Sequence, residues 1–197
     1  MTLKNTPDRW GAVSQSFHWL IVLLILALAI VGLTMGELPR TPKYFWVYTA
    51  HKSMGITVLA LMLLRLGWRL YAGAPKPVAG TPTWQAAIAA VTHWALYALA
   101  LAIPLSGWLY DSASGLRPFR WFGLFDVPKL VGPNEWLADQ ARDAHELLFW
   151  VLVVLVAAHA GAAFYHHLFQ RDDTLARMLP RRRPRPTTPT QDPDHVA

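Results

Sequence analysis

Residues 143–167 read DAHELLFWVLVVLVAAHAGAAFYHH, and the fold turns on this stretch. It has no Lys or Arg, it is long enough to cross a bilayer, and yet it carries histidines at 145, 159, 166 and 167. About twenty residues rising about 1.5 Å each span roughly 30 Å of hydrocarbon. Lipid offers the backbone no hydrogen bonds, so such a run is a helix, and a polar ring within it needs a partner. His145 and His159 are fourteen residues apart. That is four turns less about 40°, so both project from nearly one face, about 21 Å apart along the axis. One helix grips a single metal ion through i,i+3 or i,i+4 spacing, so this pair addresses two sites at two depths. Two stacked sites on one helix suit two haems.

The rest of the chain supplies companions for that helix. Hydrophobic residues make up 54% of the 197 and charged residues only 15%, which is not the balance of a soluble domain. Four apolar runs are expected as spans, at about 14–35, 45–71, 84–110 and 144–169. Trp10 and Trp19, Trp46 and Trp68, Trp84 and Trp108, and Trp136 mark their ends as aromatic belts do. The expected fold is therefore all-α, an integral membrane four-helix bundle over residues 1–183, with 184–197 as a disordered tail. The first run is too long for a cleaved signal peptide and no small-residue cleavage site follows it, so it reads as a retained helix. With both termini on one side, that side holds eleven of the eighteen Lys and Arg residues, which places both termini in the cytoplasm. The net charge of +6 reflects this topology and the basic tail; no folded soluble module remains for a nucleic-acid partner. The chain has no cysteine, which excludes thiolate clusters, thiolate-ligated haem and covalently attached c-type haem.

Depth sorts the histidines. His145 and His51 both follow shortly after the outer start of their helices, so they are level and pair across the outer site. His159 lies in the inner half, where His18 and His93 both compete to face it. Neutral imidazole is a suitable axial ligand at either level. Gly55 shares the face of His51, and Gly161 is near His159; either gives a flat macrocycle room or serves ordinary helix packing. Arg65 follows His51 by fourteen residues and reaches the inner level, where a haem propionate would partner its charge.

The segments SQSFHWL, AHKSMGITVLALMLLRLGWRL, VTHWALYALALAIPLSGWLY and AHELLFWVLVVLVAAHAGAAFYHHLFQRDDTLARMLPR resemble the bacterial cytochrome b561 family, over about residues 10–183. The resemblance implies a dihaem b-type cytochrome of the bacterial inner membrane. It puts the axial ligands on His18 and His159 for the inner iron and on His51 and His145 for the outer one, which favours His18 over His93. It also implies an activity: oxidation of superoxide to dioxygen at the periplasmic face, with electrons passed through two haem b groups to ubiquinone. The alternative within the family is a membrane anchor that links a hydrogenase or dehydrogenase to the quinone pool. On the superoxide reading, Lys52, Arg117, Arg120 and Lys129 form a cationic collecting surface, although the same loop carries Asp126, Glu135, Asp139 and Asp143. His93, His166 and Ser16 are the candidates for the quinone pocket, since a histidine can bond a quinone carbonyl and relay a proton. The expected surroundings are the lipid bilayer, with the chain as a monomer or a homodimer.

Overall fold

The computed structural model describes residues 2–39, 41–116 and 119–180. Four long helices dominate it: α1 (Ala12–Met35), α2 (Phe45–Ala72), α3 (Thr83–Ala113) and α4 (Glu135–Tyr165). All four are long and apolar enough to cross a membrane. Consecutive helices pack on one another. Leu20, Leu23, Leu26 and Ile30 on α1 and Leu147, Val151 and Val154 on α4 point outward and are exposed. A water-soluble bundle would bury such residues; lipid contact removes the need. The small interior core, Ile21, Val58, Met62 and Ala100, joins α1, α2 and α3.

The helix bounds differ most from expectation at α4, which starts at Glu135, nine residues before the expected start at 144. Its polar opening turns are helical because they are capped rather than because they are greasy. The Asn134 side chain accepts a hydrogen bond from the Leu137 N–H, and Glu135 lies in the first turn, where a negative charge favours the helix dipole. Ala138 and Ala141, three apart, are buried. The α3–α4 connection is correspondingly shorter than the Asp111–Asp143 stretch. It contains a hairpin of β1 (Arg120–Trp121) and β2 (Phe125–Asp126). The expected tail, with Arg181–Arg183 and Arg185, lies outside the described residues, as does Arg117.

The two ends of the bundle are closed differently. At the α1 N-terminal end, three segments interlock. The Asn5 side chain accepts from the Gly11 N–H and the Ser14 hydroxyl, and donates to the Gly73 carbonyl. The Lys76 N–H donates to the Pro7 carbonyl, and Arg177 donates to the Lys76 carbonyl. Trp19 donates to the Met178 carbonyl, and Arg9 to that of Leu179. Gly11 has no substitute in this knot, because a Cβ there would lie 2.4 Å from the carbonyl oxygens of Leu3 and Lys4.

At the opposite end, Lys52 of α2 pairs with Asp111 of α3, whose side chain is only 7% exposed. The neighbouring Ser53 and Ser112 are fully buried and accept from the backbone N–H groups of Phe122 and Leu130 in the connection. A buried carboxylate stripped of its cation is costly, by about 3–5 kcal/mol, whereas removing both charges together is much milder. Lys52→Met alone should therefore lower the thermal unfolding midpoint sharply, and Lys52→Met combined with Asp111→Leu should recover most of the loss.

Candidate functional site

The helices bring histidines together at two levels. At the first, His51 of α2 and His145 of α4 face each other with ring centroids 6.3 Å apart and planes at 73°. An imidazole–metal bond of about 2 Å on each side, plus about 1 Å from each nitrogen to its ring centre, spans about 6 Å. The separation thus fits one metal ion held between two imidazoles. Among the described residues no cluster of three or more His, Cys, Asp or Glu is arranged to hold a bare ion. The remaining coordination must come from elsewhere, as it does in a porphyrin.

The orientation of His145 supports this reading. Its Nδ1 lies 2.9 Å from the Ile103 carbonyl, to which it donates, with the Ser106 hydroxyl at 3.1 Å. Ile103 precedes Pro104, whose missing N–H leaves the Ala100 carbonyl, one turn earlier, without its ladder donor. With Nδ1 as the donor, Nε2 keeps its lone pair, and the ring is held in the tautomer a metal requires. The His51 Nδ1 is buried and has no hydrogen-bond partner within the described residues. Such an orphan atom is unusual, and it marks His51 as a ring positioned for something other than the protein.

At the second level the arrangement is more crowded. His93 of α3 lies against His159 of α4, with centroids 5.3 Å apart and planes at 73°. His18 of α1 turns its Nδ1 toward the Arg65 guanidinium, at 3.2 Å, and remains close enough to both other histidines to interact electrostatically with them. Sequence reasoning expected His18 to face His159, with His93 as the competitor; the observed ring contact is the one between His93 and His159. Arg65 also lies over the Tyr97 ring, 5.5 Å from its centre. The ion pairs found among the described residues are Lys52–Asp111, Arg120–Asp126 and His166–Asp172, so Arg65 has no carboxylate there. An intramembrane guanidinium without an acid is a ready partner for an anionic group.

The glycines that touch the site are Gly32 and Gly107. A Cβ at Gly107 would lie 3.1 Å from His145 Cε1, and one at Gly32 would lie 3.3 Å from His51 Cε1. Gly55 and Gly161 have nothing within 4 Å of that position. The fourteen-residue spacing read for His145 and His159 and for His51 and Arg65 recurs on the other two helices, where it marks Gly32 and Gly107. The pairs are His18 and Gly32, His51 and Arg65, His93 and Gly107, and His145 and His159. One face of every helix thus serves both levels.

The cations expected to collect an anion are mostly occupied. Lys52 is paired with Asp111, Arg120 lies 3.4 Å from Asp126, and Lys129 donates to the Leu116 carbonyl. Asp111 was not anticipated, because an acid at a span terminus reads as a loop residue.

The quinone candidates separate. His93 belongs to the second level, while Ser16 lines an open groove of about 540 Å³ with Ala12, Gln15, Trp19, Leu179 and Pro180. His166, in the π-helical turn that ends α4, donates from Nδ1 to Asp172 at 2.6 Å, and Asp172 begins the segment that closes this groove. Burial alone would raise the Asp172 carboxyl. Hydrogen bonds from Thr174 and His166 outweigh it and hold the group below the usual carboxylate range.

The model of the family described as prokaryotic cytochrome b561 matches residues 9–181. Cytochrome b561 homolog 2 of Escherichia coli is 37% identical, covering 91% of this chain and 95% of the relative. Cytochrome b561 homolog 1 of the same organism is 34% identical over 89% of this chain and 99% of its own length. A probable superoxide oxidase, CybB, of Yersinia pestis is 33% identical over 89% and 98%.

Gly107→Ala should displace the His145 ring and lower the haem-to-protein ratio of the purified chain. Gly67→Ala, about 160° around α2 from His51 and clear of other side chains, should leave the ratio unchanged; absorbance spectra of the two variants make the comparison.

Proposed function

This chain belongs to the prokaryotic cytochrome b561 family of bacterial membrane electron-transfer proteins that carry b-type haem, and on that premise we propose that it oxidises superoxide and reduces ubiquinone through two haems. The observation that carries the proposal is the His51–His145 pair, spaced for one iron, with His145 held in a ligating tautomer by the Ile103 carbonyl. The name of the Yersinia pestis relative, which matches almost end to end, supports the choice of superoxide.

Haem b supplies a one-electron carrier at each level. His51 and His145 would hold one haem. At the second level His159 would hold the other with His18, as first expected, or with His93, whose ring lies against it. Arg65 would neutralise a propionate there. Two superoxide ions each give up one electron and leave as dioxygen. The two electrons, with two protons, convert ubiquinone to ubiquinol. Two negative charges thus arrive at one face, and two protons must be delivered where quinone is reduced.

The chain's own groups suit both tasks. Lys129 pairs with no carboxylate among the described residues and would draw an anion toward the His51 end, as Lys52 would more weakly beside Asp111. At the other end, His166 backed by Asp172 is a proton relay next to the segment that closes the Ser16 groove. Gln15, whose side chain donates to the Trp10 and Arg177 carbonyls, fixes one wall of that groove. The basic N-terminal and post-α4 segments share this end, which supports an inner-membrane orientation with both termini cytoplasmic.

Purified protein should be reduced rapidly by superoxide and should then reduce ubiquinone. Failure of both reactions, together with copurification of a large hydrogenase or dehydrogenase subunit, would establish the anchor role instead. His145→Ala should lose the haem of the His51 level and retain the other, and an unchanged haem-to-protein ratio would reject that assignment.

Because the Asp172 carboxyl is held below its ordinary value, its contribution to stability is present above the unfolded pKa of about 4 and is lost as pH falls through the depressed folded value. Asp172→Asn should therefore lower the thermal midpoint at neutral pH, and the gap to the unmodified protein should close only in acid.

A further inference from the structure

The β1–β2 hairpin of the α3–α4 connection has a composition that water does not explain. Its bend, WFGLF at 121–125, leaves Phe122 51%, Leu124 68% and Phe125 54% exposed. Its base is polar, with Arg120 opposite Asp126, and is buttressed by the buried Phe119 and Val127. The side chains therefore run from charged to apolar along one short ribbon.

The anchoring points fix where that ribbon lies. The Phe122 N–H donates to the Ser53 hydroxyl at 3.0 Å, and the Trp121 indole N–H donates to the Thr57 hydroxyl at 3.1 Å. Ser53 and Thr57 are i,i+4 on α2 and share a face, about 200° around the helix from His51 in the case of Ser53. The hairpin thus packs on the flank of α2 opposite the histidine site. Depth follows from the aromatic belt. Trp46 and Trp68 are twenty-two residues apart, about 33 Å along the axis, which matches the thickness of the hydrocarbon and its edges. Ser53 lies about 10 Å inward of Trp46, and Thr57 about 16 Å.

Backbone at that depth survives only if its polar groups are consumed internally. Four N–H groups of the hairpin and its flank are so consumed: that of Val127 donates to the Phe119 carbonyl, Leu124 to Trp121, Gly123 to Arg120 and Phe122 to the Ser53 hydroxyl. The bend is closed by two residues with positive φ, Phe122 at 44° and Gly123 at 77°. Phe122 accepts an unfavourable backbone region in a turn that turns its ring outward. The outward hydroxyls of Ser53 and Thr57 would themselves be poor lipid neighbours, and the hairpin covers them, leaving Ser53 fully buried.

We propose that the Arg120–Asp126 hairpin is a lipid-inserted element that enters the leaflet on the His51 side along α2, with Phe122, Leu124 and Phe125 against acyl chains. The occupant follows from continuity: the exposed side chains extend the same apolar belt that the four spans present to lipid. The hairpin covers the α2 flank, with Arg120 and Asp126 at the waterline. The inference rests on the membrane-spanning assignment alone and is independent of the redox activity.

The natural absence of cysteine makes the test direct. Single variants Leu124→Cys, Phe125→Cys, Gly132→Cys and Leu23→Cys are spin-labelled in the full chain and reconstituted in phospholipid vesicles. Leu23, exposed on α1, reports the spans themselves, and Gly132 reports the aqueous part of the connection. Labels at 124 and 125 should relax with dissolved oxygen and lose relaxation by a water-soluble nickel chelate, as at 23, while 132 shows the reverse. If 124 and 125 respond to the chelate like 132 while 23 still reads lipid, the hairpin is in water and the proposal fails with the membrane fold intact. Exclusion of both relaxants at 124 and 125 would place the hairpin against protein and would also overturn it.

Discussion

An imidazole inside a membrane has to be bonded to something, because lipid supplies neither donor nor acceptor and a bare polar group there is expensive. Five of the eight histidines of this chain, at 18, 51, 93, 145 and 159, lie within α1–α4. The protein satisfies them unevenly. His145 is tied to the Ile103 carbonyl and His18 faces Arg65, while His51 keeps a buried nitrogen that the described residues do not bond. The unevenness is informative. A helix bundle that needed its histidines only for packing would pair them with carbonyls and hydroxyls throughout, whereas rings meant for a metal leave one nitrogen uncommitted.

The same constraint accounts for the register of the bundle. A site residue recurs after fourteen positions on each of the four helices, so one face per helix serves both levels. The residue types are not repeated with it. Two of the four positions at the His51 level are glycine, and they lie where a Cβ would meet the imidazole rings. At the other level all four positions are large and polar: His18, Arg65, His93 and His159. The first level is thus built by close helix approach and the second by a crowd of donors. This is why a ring pair with one metal-sized gap stands out in the former, and a His93–His159 contact beside His18 and Arg65 appears in the latter.

The spans were legible from hydropathy and length, since lipid enforces helices and aromatic belts mark their ends. The depth pairing of His51 with His145 was also legible, because depth along a helix is arithmetic. What arithmetic could not decide is which of His18 and His93 meets His159, since both are at the right height and the choice lies in azimuth and neighbouring side chains. The early start of α4 was missed for a different reason. Its first turns depend on the Asn134 cap and on buried alanines, features that an apolar-run search passes over. The Lys52–Asp111 pair joins residues fifty-nine apart, and nothing local announces such a contact. The function reading owed most to the resemblance; spacing alone reached two stacked metal sites and stopped there.

Charge placement carries the argument one step further. At the His51 end the chain neutralises its own intramembrane cation, for Asp111 is buried against Lys52 and the two serines beside them are spent on the connection. At the other end Arg65 is left with an imidazole nitrogen and an aromatic face but no carboxylate among the described residues. Two cations near opposite ends of α2, one answered by an acid of the protein and one not, are hard to reconcile with a purely structural use of both. An anionic cofactor substituent at the Arg65 level resolves the difference, because it would complete a guanidinium pair that the fold otherwise leaves open. The chain thus neutralises its intramembrane cation at the His51 end and leaves the one at the Arg65 end without an acid among the described residues.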